Sequence, residues 1–130
     1  MGLFGLFGNK DASEEKEKSA IAWKQLTTME QLDEIVATSK SKPIAIFKHS
    51  TRCGISRMVL RNFENSFSIS EEQLDLYYLD LLSYRDISDA VGHRFQVLHQ
   101  SPQLLVIKNG TAVAHASHHS IQASELENFI

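Results

Sequence analysis

The apolar run Pro43-Ile-Ala-Ile-Phe-Lys48 limits the fold of this chain more than any other segment. A strand with one face in water alternates apolar and polar residues, whereas this run is apolar at almost every position. Such a run predicts a strand buried on both faces, as in a parallel sheet that helices cover on each side. The 130 residues, 42% of them hydrophobic, supply enough material for one domain with a core of this kind.

The segments around this run alternate between strand and helix patterns. A short strand is predicted at residues 22–26, followed by a helix with Thr27 as N-cap and Glu30 reaching back in a capping box. A further strand is predicted at 74–81, followed by a helix that Ser83 caps. This alternation indicates parallel strands joined by right-handed crossovers.

The helix that follows the apolar run shows a clear apolar face. Ile55, Val59 and Phe63 recur at a spacing of four, and Met58 widens the stripe. We therefore expect all four side chains to belong to the core.

The last third of the chain predicts a hairpin and a final helix. Two apolar runs at 103–108 and 111–116 flank Asn109-Gly110, the strongest short-range hairpin signal. A helix capped near Ser120 follows. The full order is β-α-β-α-β-α-β-β-α, an α/β fold with a mixed central sheet and helices on both faces. It is the element order of the thioredoxin fold.

Residues 1–19 are interpreted as a flexible N-terminal tail, and residues 20–130 as the thioredoxin-like domain. No apolar run approaches the ~20 residues of a transmembrane segment, and the order of charged and apolar residues in the tail does not fit a secretory signal. The net charge of −3, with scattered basic residues, argues against nucleic acid as a partner. A single cysteine cannot form an internal disulfide, which favours a reducing, cytoplasmic location.

That cysteine, Cys53, lies where the apolar strand gives way to a helix. The positive end of the helix dipole stabilises a thiolate more than a neutral thiol. Arg52 and Arg57 add positive charge nearby. A cysteine of unknown context is more often a small buried hydrophobe, but this position favours a reactive nucleophile.

Two further positions complete the expected site. Ser56 lies three residues after Cys53, where a dithiol oxidoreductase carries its resolving cysteine, and it could hydrogen-bond the thiolate or serve only as a helix-terminal hydroxyl. Ser101-Pro102 directly precedes the hairpin, where a thioredoxin-like order places a cis-proline. Such a turn would leave the backbone of Ser101 free to pair with an extended substrate.

The histidines give a weaker signal. His115, His118 and His119 match no strong zinc pattern, so no metal site is expected and a solvated or capping cluster is the default interpretation. His49 and His99 could lie near Cys53 and tune it.

The segments His49-Ser-Thr-Arg-Cys53-Gly-Ile-Ser-Arg-Met58 and His99-Gln-Ser-Pro-Gln103 resemble the monothiol bacilliredoxin family of bacterial thioredoxin-like proteins. The similarity runs from about Trp23 to the C-terminus. It implies that Cys53 removes bacillithiol from S-bacillithiolated client proteins, with bacillithiol as a second substrate and no tightly bound cofactor. Gly54 stands where the family commonly has proline, so its N–H is free to bond the thiolate.

The expected function is thus that of a monothiol thiol-disulfide oxidoreductase. Cys53 and Ser56 are its candidate catalytic residues, and Arg52, Gly54, Ser101 and Pro102 its candidate substrate-binding residues. Two alternatives stay open: a non-catalytic binding module with the same fold, and a redox sensor whose cysteine is oxidised or takes up a small thiol.

Overall fold

The computed structural model describes residues 21–130, so the predicted tail at 1–19 lies outside the described residues. The five strands are β1 Trp23–Gln25, β2 Ile44–His49, β3 Asp75–Asp80, β4 Gln103–Lys108 and β5 Thr111–Ser117. The three α-helices are α1 Glu30–Thr38, α2 Gly54–Ser66 and α3 Arg85–Phe95. Two 3₁₀ helices, His118–Ser120 and Ala123–Phe129, follow β5.

The strands form one mixed sheet in the order β1-β3-β2-β4-β5. Strands β1, β3 and β2 are parallel, whereas β4 is antiparallel to both β2 and β5. The turn between β4 and β5 places Asn109 at φ 53° and Gly110 at φ 78°, the backbone that Asn-Gly favours in a tight hairpin. The predicted α/β fold with a thioredoxin-like element order is therefore confirmed.

Helices cover the sheet on both faces, as the apolar run predicted. On one face, Ile44 and Ile46 of β2 pack with residues of α1 and α3. On the other face, Ala45 and Phe47 pack with α2 and the C-terminal 3₁₀ helix. Every residue of β2 is buried, which is the burial expected of a central strand in a covered sheet.

The apolar stripe of α2 is only partly buried. Val59 and Phe63 lie in the core, but Ile55 and Met58 are 48% and 45% exposed, so their predicted core role is wrong. Both belong to the first two turns of α2, beside the turn that leaves β2. The sheet ends here, so these side chains have less core to pack against.

The capping box of α1 uses a different register from the predicted one. Thr28 Oγ1 accepts the Gln31 N–H at 3.3 Å, and Gln31 Oε1 accepts the Thr28 N–H at 3.0 Å. The predicted Thr27–Glu30 pair has the same spacing, but Gln31 can also donate its amide to the Gln25 carbonyl, which a carboxylate cannot.

Two other helix starts also differ. Ser83 does not cap α3, because its hydroxyl donates to Asp80 at 3.0 Å and the helix begins at Arg85. The last helix is 3₁₀ rather than α, and it begins at Ala123 rather than near Ser120. Within residues 21–130, none of the helices is both long enough and apolar enough to cross a membrane.

Candidate active site

The thiol of Cys53 lies at the N-terminus of α2, where the sequence predicted it. Cys53 is the N-cap residue, with the extended backbone angles φ −103° and ψ 122°, and its carbonyl accepts the Arg57 N–H at 3.1 Å. The side chain is partly exposed and makes no capping hydrogen bond to the first turn of the helix. The free N–H groups of that turn and the helix dipole therefore favour an anion at this position.

Ser56 is fully buried and holds the turn that carries Cys53. Its Oγ accepts the backbone N–H of Ser50 at 3.1 Å and lies 2.9 Å from Nδ1 of His49. A hydroxyl can donate one hydrogen bond and accept two, so Ser56 can pair with either tautomer of His49 while it accepts from Ser50. The expected hydrogen bond from Ser56 to Cys53 is thus replaced by bonds within the turn, because the side chain points to the buried end of β2.

His49 is a member of the site whose role sequence reasoning left open. It is 4% exposed, and its ring lies 5.6 Å from that of Tyr78. Burial lowers the pKa of His49, and the positive charge of Arg57 lowers it further, whereas Asp80 opposes both effects. The imidazole is therefore neutral at pH 7, and its tautomer decides which group donates in the bond between Nδ1 and Ser56. Strand alternation gives the signal for this placement, because His49 follows Phe47 by two residues on the α2 face.

Two arginines flank the cysteine in the sequence, and both have exposed side chains. A Cβ built on Gly54 would lie 3.9 Å from a terminal guanidinium nitrogen of Arg57, so this side chain folds back over the first turn of α2. Arg52 is exposed on the preceding turn. Within residues 21–130, neither arginine takes part in any of the three salt bridges. Both guanidinium groups are therefore available to an anionic ligand.

The peptide bond between Ser101 and Pro102 is cis, which confirms the prediction. Lys48 of β2 pairs with Gln103 of β4, so Pro102 lies beside the end of β2 from which the Cys53 turn departs. In the part of the chain that the structure describes, Ser101 makes no backbone-to-backbone hydrogen bond, and its buried Oγ has no partner. The loop thus presents a backbone edge that an extended peptide could pair with.

One of the three C-terminal histidines contacts the cis-proline loop through its backbone, since the His118 N–H donates to the Pro102 carbonyl at 3.0 Å. His115 is on β5, and His118 and His119 are in the first 3₁₀ helix. No group of three or more metal-binding side chains converges anywhere between residues 21 and 130.

Solved structures with a thioredoxin fold share this architecture. One is described as a proposed oxidoreductase with a thioredoxin fold; it is 28% identical, with a TM-score of 0.71, over 85% of this chain and 95% of that chain. Thioredoxin from Malassezia sympodialis is 21% identical, with a TM-score of 0.62, over 81% of this chain and 84% of its own. Thioredoxin from Trypanosoma brucei brucei is 17% identical, with a TM-score of 0.61, over 83% and 87%. The last two similarities concern the fold alone.

A more specific similarity covers most of the described residues. The family model for the monothiol bacilliredoxin BrxC matches residues 24–126, a range that contains both Cys53 and the cis peptide bond before Pro102. It includes all five strands except the first residue of β1. This chain, with one cysteine in a thioredoxin-like oxidoreductase fold, therefore belongs to the monothiol bacilliredoxin family.

Proposed function

We propose that this protein is a monothiol thiol-disulfide oxidoreductase that removes a low-molecular-weight thiol of the bacillithiol type from protein mixed disulfides. One observation carries this proposal above all. Cys53 lies at an open helix N-terminus, while the position of a resolving cysteine holds the buried Ser56, whose hydroxyl is bound to His49 and Ser50. The site can thus accept one sulfur partner but cannot expel it through an internal disulfide.

The reaction takes place in two exchange steps. The Cys53 thiolate attacks the small-thiol sulfur of the mixed disulfide, a new S–S bond forms, and the client cysteine leaves as a thiolate that takes a proton from water. A second molecule of the small thiol then attacks the adduct. It forms the symmetric small-molecule disulfide and restores the Cys53 thiolate. One free small thiol is consumed in each cycle: its sulfur is oxidised when it joins the sulfur taken from the client in the symmetric disulfide, and the client cysteine is reduced to the thiol.

The surroundings of Cys53 suit both substrates. The free backbone of Ser101 beside Pro102 can pair with the extended client segment that flanks the modified cysteine. Arg52 and Arg57 attract a thiol that carries a carboxylate. Gly54 leaves its N–H available to the sulfur anion. The small thiol is a co-substrate, its protein partners are S-thiolated clients, and a reducing cytoplasm is the compartment in which this exchange would proceed.

A direct test uses a client protein that carries bacillithiol on one cysteine. We expect the wild-type protein with free bacillithiol to release the client thiol repeatedly, and Cys53→Ser to release none. Mass spectrometry should detect bacillithiol on Cys53 when free thiol is omitted. Stable modification of Cys53 that free thiol clears only slowly would favour a redox sensor. The absence of any adduct would favour a binding module.

A further inference from the structure

Lys48 is the most unexpected residue in the core. It lies in the central strand β2, its side chain is fully buried, and strand alternation directs it to the same face as Ile44 and Ile46. A buried ammonium without an anionic partner is strongly unfavourable. Yet within residues 21–130, Lys48 takes part in no salt bridge. An apolar residue here would serve the core better, so the lysine requires another explanation.

The partner of Lys48 lies in the loop that precedes the cis-proline. Nζ of Lys48 is 2.8 Å from Nδ1 of His99, an exposed residue three positions before Pro102. Lys48 immediately precedes His49, whose ring anchors the Cys53 turn through Ser56. The contact therefore joins the two segments between which a thiol substrate would be held.

A second buried polar residue holds the same loop. Gln103 faces Lys48 across the β2–β4 pair, is 1% exposed, and donates its Nε2 to the Leu98 carbonyl at 3.0 Å. Its Oε1 is buried and has no hydrogen-bond partner among residues 21–130. The two polar side chains at this end of the sheet thus both reach the loop formed by residues 98–101. A core selected only for stability would not carry this arrangement.

We propose that Lys48 and His99 are positioning residues for thiol exchange, and that the buried amine holds the loop carrying Ser101 and Pro102 beside the Cys53 turn. This inference rests on the proposed function. Lys48 does not touch the reacting sulfur in this scheme. It fixes the backbone edge of Ser101 with which a client segment pairs, so its loss affects exchange with a client more than the intrinsic reactivity of Cys53.

The protonation states of the pair fit this role near neutral pH. Burial lowers the pKa of Lys48 to about 8, against a weaker opposing effect of Asp89 on α3. Burial and the charge of Lys48 lower the pKa of His99, which Asp89 also opposes. At pH 7 Lys48 therefore retains its proton and donates it to a neutral Nδ1 of His99. Protonation of His99 in acid would place two donors face to face and release the loop.

The test separates loop position from thiol reactivity. Lys48→Met and His99→Ala should each slow release of bacillithiol from a client by about tenfold or more, because small misplacements of a substrate-binding group carry costs of this size. Both should react with iodoacetamide at the wild-type rate. Amide hydrogen exchange of residues 98–101 should rise in both variants. The double variant should be no slower than the slower single variant, because both changes break one contact.

Stability provides the decisive control. Replacing an unpaired buried charge by an apolar side chain of similar size is often neutral or stabilising. Lys48→Met should therefore unfold at the same or a higher urea concentration while losing exchange activity. His115→Ala, which removes an exposed histidine on β5, should leave both readouts unchanged.

Three results would overturn the proposal: wild-type exchange rates in both variants, unchanged loop protection, or an exchange loss that merely follows a loss of stability. Because His99 is exposed, His99→Ala keeps the test valid if Lys48→Met does not fold. If the wild-type protein itself released no bacillithiol, the proposed function would fail. Amide protection of residues 98–101 would then decide separately whether Lys48 holds the loop.

Discussion

The hydroxyl of Ser56 lies 2.9 Å from Nδ1 of His49, and both side chains are buried beneath the turn that carries Cys53. The same hydroxyl accepts the N–H of Ser50, so one serine ties the end of β2 to the first turn of α2. The position that bears a resolving cysteine in dithiol enzymes thus has a structural task in this protein. Changes at Ser56 reach Cys53 through the backbone of the turn.

Replacement of Ser56 by alanine should destabilise the protein. The change leaves the half-buried Ser50 N–H and the buried Nδ1 of His49 without their partner, which costs about 1–3 kcal/mol of unfolding free energy. Urea unfolding measures this loss, and the rate of client release should fall with it. Ser66→Ala, which removes an exposed hydroxyl at the other end of α2, serves as the control and should cost much less. Equal stability of the two variants would contradict the role assigned to Ser56.

Acid should destabilise the protein through His49. Its pKa is lowered in the folded state, mainly by burial, so the unfolded chain binds the proton more readily. The contribution of neutral His49 to stability is complete above the unfolded pKa of about 6.5, and it is lost as the pH falls from there through the folded pKa. We expect the free energy of unfolding to decline in this range and the decline to be smaller in His49→Gln.

Two comparisons test whether His49 causes the loss of stability in acid. His99 also has a lowered pKa, so the decline should be reduced rather than abolished in His49→Gln. His115 is exposed on β5, and His115→Gln should keep the full wild-type decline. An identical acid profile for the wild-type protein and His49→Gln would show that His49 does not carry this linkage.

Lys48 should make the free energy of unfolding depend on pH in the alkaline range. Its pKa falls from 10.5 to about 8 in the folded state, so the folded protein binds the proton less readily than the unfolded chain. The folded state is favoured most above pH 10.5, the pKa of Lys48 in the unfolded chain, and this advantage is lost as the pH falls towards the folded pKa of about 8. The free energy of unfolding should therefore rise between pH 8 and 10.5 relative to Lys48→Met. Parallel curves for the two proteins over this range would argue that Lys48 is not desolvated in the folded state.

The fold could be predicted from the sequence because its signals are local and redundant. The apolar run that forms β2 implied a covered central strand, and Asn109-Gly110 implied the hairpin. Pro102 could be assigned as cis only through the element order, since an isolated Ser-Pro pair is usually trans. The resemblance of the two cysteine and proline motifs to a known family then narrowed the chemistry.

The partners of the polar side chains could not be predicted in the same way. Ser56 was expected to hydrogen-bond Cys53, yet its hydroxyl lies 2.9 Å from Nδ1 of His49. The way α2 packs on the end of β2 decides which partner the hydroxyl reaches, and the sequence does not show this packing. The sequence did not indicate that Lys48 would be buried, because a lysine at the end of an apolar run usually marks the point where a strand reaches solvent. Met58 was expected in the core and is exposed, because helical spacing does not show where the sheet beneath the helix ends.

The charge around Cys53 leads to a last prediction about substrate choice. Arg57 folds over Gly54 at the start of α2 and has no salt-bridge partner among residues 21–130. Attraction of an anionic thiol by an unpaired guanidinium raises the association rate and weakens with salt. Arg57→Gln should therefore slow regeneration of Cys53 by a carboxylate-bearing thiol by about threefold to tenfold. Regeneration by the neutral 2-mercaptoethanol should change little.

The matched control for Arg57 is Lys40→Gln, which removes one exposed positive charge from the opposite end of the sheet, between α1 and β2. Stopped-flow measurement of the second exchange step at low and high salt gives both rates. The deficit of Arg57→Gln should shrink at high salt, because screening removes the advantage of the wild-type protein. An equal loss with the anionic and the neutral thiol would instead mean that Arg57 acts by shaping the Cys53 turn rather than by attracting the substrate.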